Sequence, residues 1–119
     1  MKIKIYHNSR CSKSRQTLEI LKNNNCDIQI IEYLKSPPTF QELEDVLNKL
    51  NFEPRDLMRK GEKIYKEENL SNASLTNNTL IEKMILNPIL IERPIVISGD
   101  KVVIGRPPEK VLEIIWQSI

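Results

Sequence analysis

The sequence predicts an α/β fold in which a βαβ unit opens the chain, helices fill its middle and a ββα unit closes it. Three observations carry that order. The first residues alternate apolar and polar, the middle places apolar residues at helical spacing, and two apolar runs near the end flank a turn. With 119 residues the chain can bury one core of its own and is too short for two domains of ordinary size. It is read as a single domain over 1–119, with a helical insertion at about 39–88.

The first strand runs from Lys2 to His7, with Ile3 and Ile5 on one face and Lys2, Lys4 and Tyr6 on the other. Asn8 and Ser9 turn the chain. A helix over Ser12–Asn24 is expected from Leu18, Ile20 and Leu21, and Asn23-Asn24-Asn25 ends it. Asp27 to Tyr33 carries Ile28, Ile30 and Ile31, a β-branched enrichment that reads as a buried strand. Ser36-Pro37-Pro38 makes a stiff connection. Thr39 and Glu42 then form a capping box for a helix bearing Leu43, Val46, Leu47 and Leu50. Pro54–Met58 predicts a short helix with proline at its first position, and Glu62–Asn69 another. Thr76–Asn87 predicts a helix with Leu80, Ile81, Met84 and Ile85 as its stripe, stopped by Pro88. Ile95-Val96-Ile97 and Val102-Val103-Ile104 flank Ser98-Gly99-Asp100-Lys101, a hairpin signal. Pro107-Pro108-Glu109 opens a last helix with Val111, Leu112, Ile115 and Trp116.

This order is that of a thioredoxin-like three-layer sandwich with the middle helices inserted between strands 2 and 3. In such a domain the bond before Pro94 is the expected place for a cis peptide beside the active thiol. Fold order alone does not name a chemistry.

Composition narrows the choices. Hydrophobic residues make up 39% and charged residues 29%, as in an ordinary globular chain. Eighteen Lys and Arg against sixteen Asp and Glu leave a formal charge of +2, which does not call for nucleic acid as a partner. No apolar run exceeds three residues, so no membrane partner is expected, and the start lacks the apolar core of a signal peptide. A cytoplasmic location follows as an expectation. Two cysteines and one histidine cannot assemble a structural zinc site, so no metal is expected. Three glycines build neither a Walker loop nor a dinucleotide turn.

Cys11 falls where the first strand turns into the first helix. Free N–H groups at a helix start favour an anion, and a thiolate is the nucleophilic form of cysteine. Arg10, Lys13 and Arg15 add positive charge. Against this stands the common case of a small buried cysteine. His7, four residues earlier, lies at the carboxyl end of the strand, where ligands gather in open α/β sheets. Cys26 sits ~20 Å away along the helix, too far for a disulfide, and reads as structural. Arg59, Arg93 and Arg106 are each most simply solvated charges. Converging on a thiolate, they would form a site for a tetrahedral oxyanion, since guanidinium forks match such oxygens in pairs.

The blocks IYHNSRCSKSRQTLEIL, YLKSPPT, LMRKGE, NPILIERPIVI and IGRPPEKVLEI resemble those of the glutaredoxin-dependent, ArsC-type arsenate reductases, in the same order and over nearly the whole chain. That resemblance implies Cys11 as catalytic nucleophile, His7 as the residue that helps ionise it, and Arg59, Arg93 and Arg106 as oxyanion binders. It implies no bound cofactor; arsenate is the substrate, glutathione the co-substrate and glutaredoxin the protein partner. Two alternatives stay open. A Spx-like regulator that grips RNA polymerase shares the Arg93-Pro94 strand start. Such regulators usually carry CxxC where this chain has Cys11 and Ser14, and here the last strand ends in Gly105-Arg106-Pro107-Pro108. A general glutathione-dependent thiol reductase is the other.

Overall fold

The computed structural model describes residues 2–115. The chain divides into two compact units. One holds the residues up to Ser36 and those from Arg93 onward; the other is Pro37–Glu92.

The first unit is built on four strands, β1 (Lys2–Tyr6), β2 (Asp27–Ile31), β3 (Ile95–Ser98) and β4 (Lys101–Ile104), in the order β2-β1-β3-β4. β1 runs parallel to β2 with Ile5 opposite Ile30. It runs antiparallel to β3 with Ile5 opposite Val96, and β3 pairs antiparallel with β4. Helix α1 (Ser12–Asn23) makes the crossover between the two parallel strands. With the closing ββα segment, this is the thioredoxin-like arrangement. A 3₁₀ turn at Pro108–Val111 leads into α5 (Leu112–Ile115); Trp116, expected in that helix, lies outside the described residues.

Ile3 and Ile5 bury one face of β1 against Leu21, Val96, Val111, Ile114 and Ile115. Truncating a residue as enclosed as Ile5 to alanine typically costs about 2–5 kcal/mol. Two sequence expectations need correction here. Tyr6 was placed on the polar face, yet it is buried opposite Ile95, so the central strand is dry on both faces at this end. β2 was read as a buried strand and is an edge strand: Ile30 is 46% exposed, and among the described residues β2 pairs only with β1. β-branched content favours strand in either position and does not tell edge from centre.

Gly99 holds φ at 59° at the first position of the two-residue hairpin turn, where a residue with a Cβ is strained. Asn25, at φ 58°, supplies the left-handed residue just after α1. The Arg93–Pro94 peptide is cis, as expected, and so is Arg106–Pro107.

The second unit holds α2 (Phe40–Leu50), α3 (Lys63–Glu67) and α4 (Asn77–Leu86), with 3₁₀ turns at Pro54–Leu57 and Pro88–Leu90. The capping box forms: the Glu42 N–H donates to Thr39 Oγ1 at 3.2 Å, and the Thr39 N–H donates to Glu42 Oε1 at 2.9 Å. Leu43, Val46 and Leu47 of α2 and Leu80, Ile81 and Met84 of α4 supply its buried residues. Arg55 secures the loop after α3 by donating to the carbonyls of Leu70 and Asn72.

Candidate active site

Cys11 is the N-cap of α1, in an extended conformation with φ −97° and ψ 123°. The turn that delivers it is tied internally. The Cys11 N–H donates to the Asn8 carbonyl at 3.0 Å, and the Arg10 N–H donates to Asn8 Oδ1 at 3.0 Å. No acidic residue lies in the first turn of α1, so the dipole end carries no competing negative charge.

Burial of Cys11 works against the thiolate. It is outweighed by the Ser14 N–H, the Arg93 guanidinium and the Lys13 N–H, which together hold the pKa below the ordinary thiol value, although no conventional side-chain cap bond forms. Arg106 adds a second guanidinium, with Nη2 3.5 Å from Cys11 Sγ. Its Nε donates to the Arg93 carbonyl at 2.8 Å, fixing the fork that faces the sulfur. Two of the three sequence-selected arginines, Arg93 and Arg106, thus meet the thiol. The sheet does this by placing the start of β3 beside the end of β4.

His7 is buried and its Nδ1 lies 2.6 Å from Ser14 Oγ. That hydroxyl also accepts from the Asn8 N–H at 3.0 Å. Ser14 Oγ thus joins the His7 ring to the Asn8 backbone in one buried hydrogen-bond chain. Burial lowers the His7 pKa, and Lys22 and Arg15 lower it further against the opposing pull of Glu32. The shift favours the neutral ring, which is linked to the thiol's helix through Ser14. In the sequence Ser14 stands out only as the residue where CxxC would place a second cysteine. The available signal was a small polar residue on the inward face of a helix, one turn after the thiol.

Arg59 belongs to the helical unit. There Nε meets Glu62 at 3.1 Å and Nη1 meets Glu92 at 2.8 Å. Burial disfavours its charge and the two carboxylates more than compensate. Cys26 is free, half-buried beside the core of the sheet unit, and burial pushes its thiol pKa up.

A thiol held at a helix start under two guanidiniums is suited to attack an anion that the same guanidiniums bind. Comparison with known proteins gives the family. The ArsC family profile matches residues 6–114. This chain belongs to the ArsC family. Its similarity extends to YfgD, an uncharacterized protein of Escherichia coli K12, at 50% identity over 114 residues, 95% of this chain and 96% of that one. The arsenate reductase of Haemophilus influenzae is 45% identical over 116 residues, 97% of this chain and all of that protein. The solved structure of an arsenate reductase from Vibrio cholerae superposes with a TM-score of 0.93 at 45% identity, covering 96% of this chain and 98% of the other. ArsC membership agrees with the thioredoxin-like sheet, and no described helix is long and apolar enough to cross a membrane.

Proposed function

We propose that this ArsC-family chain is an arsenate reductase in which Cys11 is the nucleophile. The observation that carries the reading is the Arg106 guanidinium 3.5 Å from Cys11 Sγ, with Arg93 acting on the same sulfur. Arsenate is a tetrahedral oxyanion, and guanidinium forks both bind such oxygens and favour the thiolate that attacks them. The names of the Haemophilus and Vibrio relatives support the choice of substrate.

The thiolate attacks arsenic and one arsenate oxygen leaves as water. Glutathione then attacks the Cys11-bound arsenic and displaces a second oxygen as water. A glutaredoxin thiolate attacks the glutathione sulfur, so that the glutathione–glutaredoxin disulfide forms and the S–As electron pair passes to arsenic, reducing it to As(III). Water then displaces the Cys11 thiolate from As(III), and arsenite is released. Dependence on glutathione and glutaredoxin rests on the family resemblance and on the presence of a single thiol at the site. His7 acts on the thiol through Ser14, keeping the start of α1 in place. Arg59 is proposed as the third oxyanion-binding arginine on the resemblance alone. The reaction needs no metal or bound cofactor, and a cytoplasmic setting keeps Cys11 reduced.

The test is arsenate-dependent NADPH oxidation coupled through glutathione reductase, glutathione and glutaredoxin, with Cys11→Ser as the blank. Turnover that disappears in the variant supports the reading. Absence of turnover in the unaltered protein, with Cys11 still alkylating quickly near neutral pH, overturns arsenate as substrate while keeping the reactive thiol. Disulfide substrates and RNA polymerase capture then separate a general thiol reductase from a regulator.

A further inference from the structure

Arg106 reaches the thiol only because its backbone is brought there, and the residue before it has no side chain. The Gly105 N–H donates to the Pro94 carbonyl at 3.0 Å, tying the end of β4 to the start of β3. On its other side Gly105 meets α1. Thr17 is fully buried on the inward face of that helix; its hydroxyl donates to the Lys13 carbonyl at 2.8 Å and reaches the Gly105 carbonyl at 3.4 Å. A Cβ at Gly105 would lie 2.8 Å from Pro94 Cγ and 3.0 Å from Thr17 Cγ2, and closer still to Thr17 Oγ1. None of these atoms ends a flexible side chain. Proline is a ring, and threonine is β-branched and stiff at χ1. Any side chain at Gly105 therefore drives α1 away from the Pro94 and Arg106 backbone.

Cys11 rides on one side of this joint and Arg106 on the other. Thr17 is six residues beyond Cys11 on a rigid helix, about 9 Å along its axis. A displacement there passes to the thiol nearly undiminished. A guanidinium–sulfur contact of 3.5 Å has little distance to spare. We propose that the close approach of Gly105 to Thr17 sets the separation between Cys11 and Arg106, which makes Gly105 and Thr17 positioning residues of the thiol site. The inference rests on Cys11 being the working thiol, and it deepens that reading by naming what holds the arginine against it.

The experiment is the pH profile of Cys11 alkylation by iodoacetamide, in a Cys26→Ser background so that only one thiol reports. No arsenate is present, so failure of arsenate reduction and failure of this proposal are read separately. Gly105→Ala is expected to move the profile upward and slow alkylation at neutral pH by about three- to tenfold, since the rate below the pKa follows the thiolate fraction. In an Arg106→Ala background the same change is expected to slow it by less than about twofold, because the contact it disturbs is already gone. Adding Thr17→Ala to Gly105→Ala, which removes both threonine atoms that a new Cβ would strike, is expected to recover most of the loss. A folded Gly105→Ala protein with an unmoved profile, or an equal effect with and without Arg106, overturns the proposal. If Gly105→Ala does not fold, Thr17→Ala alone carries the test: it takes away the wall against which Gly105 rests and is expected to slow alkylation by about twofold or more. An unmoved profile in that variant overturns the proposal equally.

Discussion

The two cysteines flank the same helix and experience opposite electrostatics. Burial raises both thiol pKa values. At Cys11 the Ser14 and Lys13 N–H groups and Arg93 reverse that effect; at Cys26 burial is the cause that acts. The α1 N-terminus offers its N–H groups to the sulfur, and the residues before β3 and after β4 bring two guanidiniums to the same atom. Its C-terminus offers carbonyls: the Asn24 N–H and Nδ2 and the Cys26 N–H are already donating to them. One helix thus favours the thiolate at its start and the neutral thiol past its end. The contrast teaches that exposure alone does not decide thiol reactivity, since the more enclosed cysteine is the one whose anion is favoured.

Each side of that contrast can be broken. The largest effect is expected from Cys11→Ser, which should lower arsenate turnover by on the order of a thousandfold or more, because a hydroxyl at this pH is not ionised. Residual turnover within tenfold of the unaltered protein would move the chemistry elsewhere. Next, Arg93→Ala should remove a favourable charge from the thiolate and slow Cys11 alkylation at neutral pH by about tenfold, the size of one pKa unit. An unchanged pH profile would show that the helix start suffices by itself.

A smaller effect is expected from Ser14→Ala, which strands the buried Asn8 N–H and His7 Nδ1 and should cost about 1–3 kcal/mol in urea unfolding. A change below a few tenths of a kcal/mol would mean that water replaces the hydroxyl.

The smallest is Cys26→Ser, where turnover should stay within about twofold of the unaltered protein and the change in stability should fall in the ordinary range for a half-buried site. A large loss of turnover would make Cys26 a resolving thiol.

The two thiols also differ in sign with pH. The Cys11 pKa is lower in the folded chain than in the unfolded one, so its stabilisation is complete above the unfolded thiol pKa and fades as pH falls through the folded value. Cys26 is shifted the other way, so its contribution is complete below the unfolded value and fades as pH rises through the folded one. Thermal unfolding of Cys11→Ser and Cys26→Ser against pH should therefore diverge from the unaltered protein in opposite directions at alkaline pH. Parallel curves would erase the distinction between the two sites.

A second contrast lies between the arginines. Arg106 spends its Nε on the Arg93 carbonyl and keeps Nη2 for the sulfur, whereas Arg59 faces two carboxylates in its own unit. Both residues lie within two positions of a glycine, so that local signal does not separate them. Glu62, three residues from Arg59, is brought to it by the turn in which the Glu62 N–H donates to the Arg59 carbonyl at 3.1 Å. Glu92 is thirty-three residues away and is brought there by the antiparallel bridge of Met58 with Ile91.

What the amino-acid order determined by itself is the local part. Alternation gave β1 its core face, the Asn run and Asn25 ended α1, and the Thr39–Glu42 pair started α2. The step from strand through Asn8 and Ser9 to helix put Cys11 on free N–H groups. These features need only neighbours within four or so residues, which periodicity and capping chemistry report directly. Tertiary structure alone decided the rest. It made β2 an edge strand and dried the second face of β1 at Tyr6. It turned Ser14 and Thr17 inward, where an apolar pattern had pointed to Leu18 and Ile20, and it carried Arg106 across ninety-five residues of sequence to Cys11. The physical reason is that pairing order and helix packing fix distances between residues remote in sequence, and both the charge that lowers a thiol pKa and the close contact at Gly105 depend on those distances.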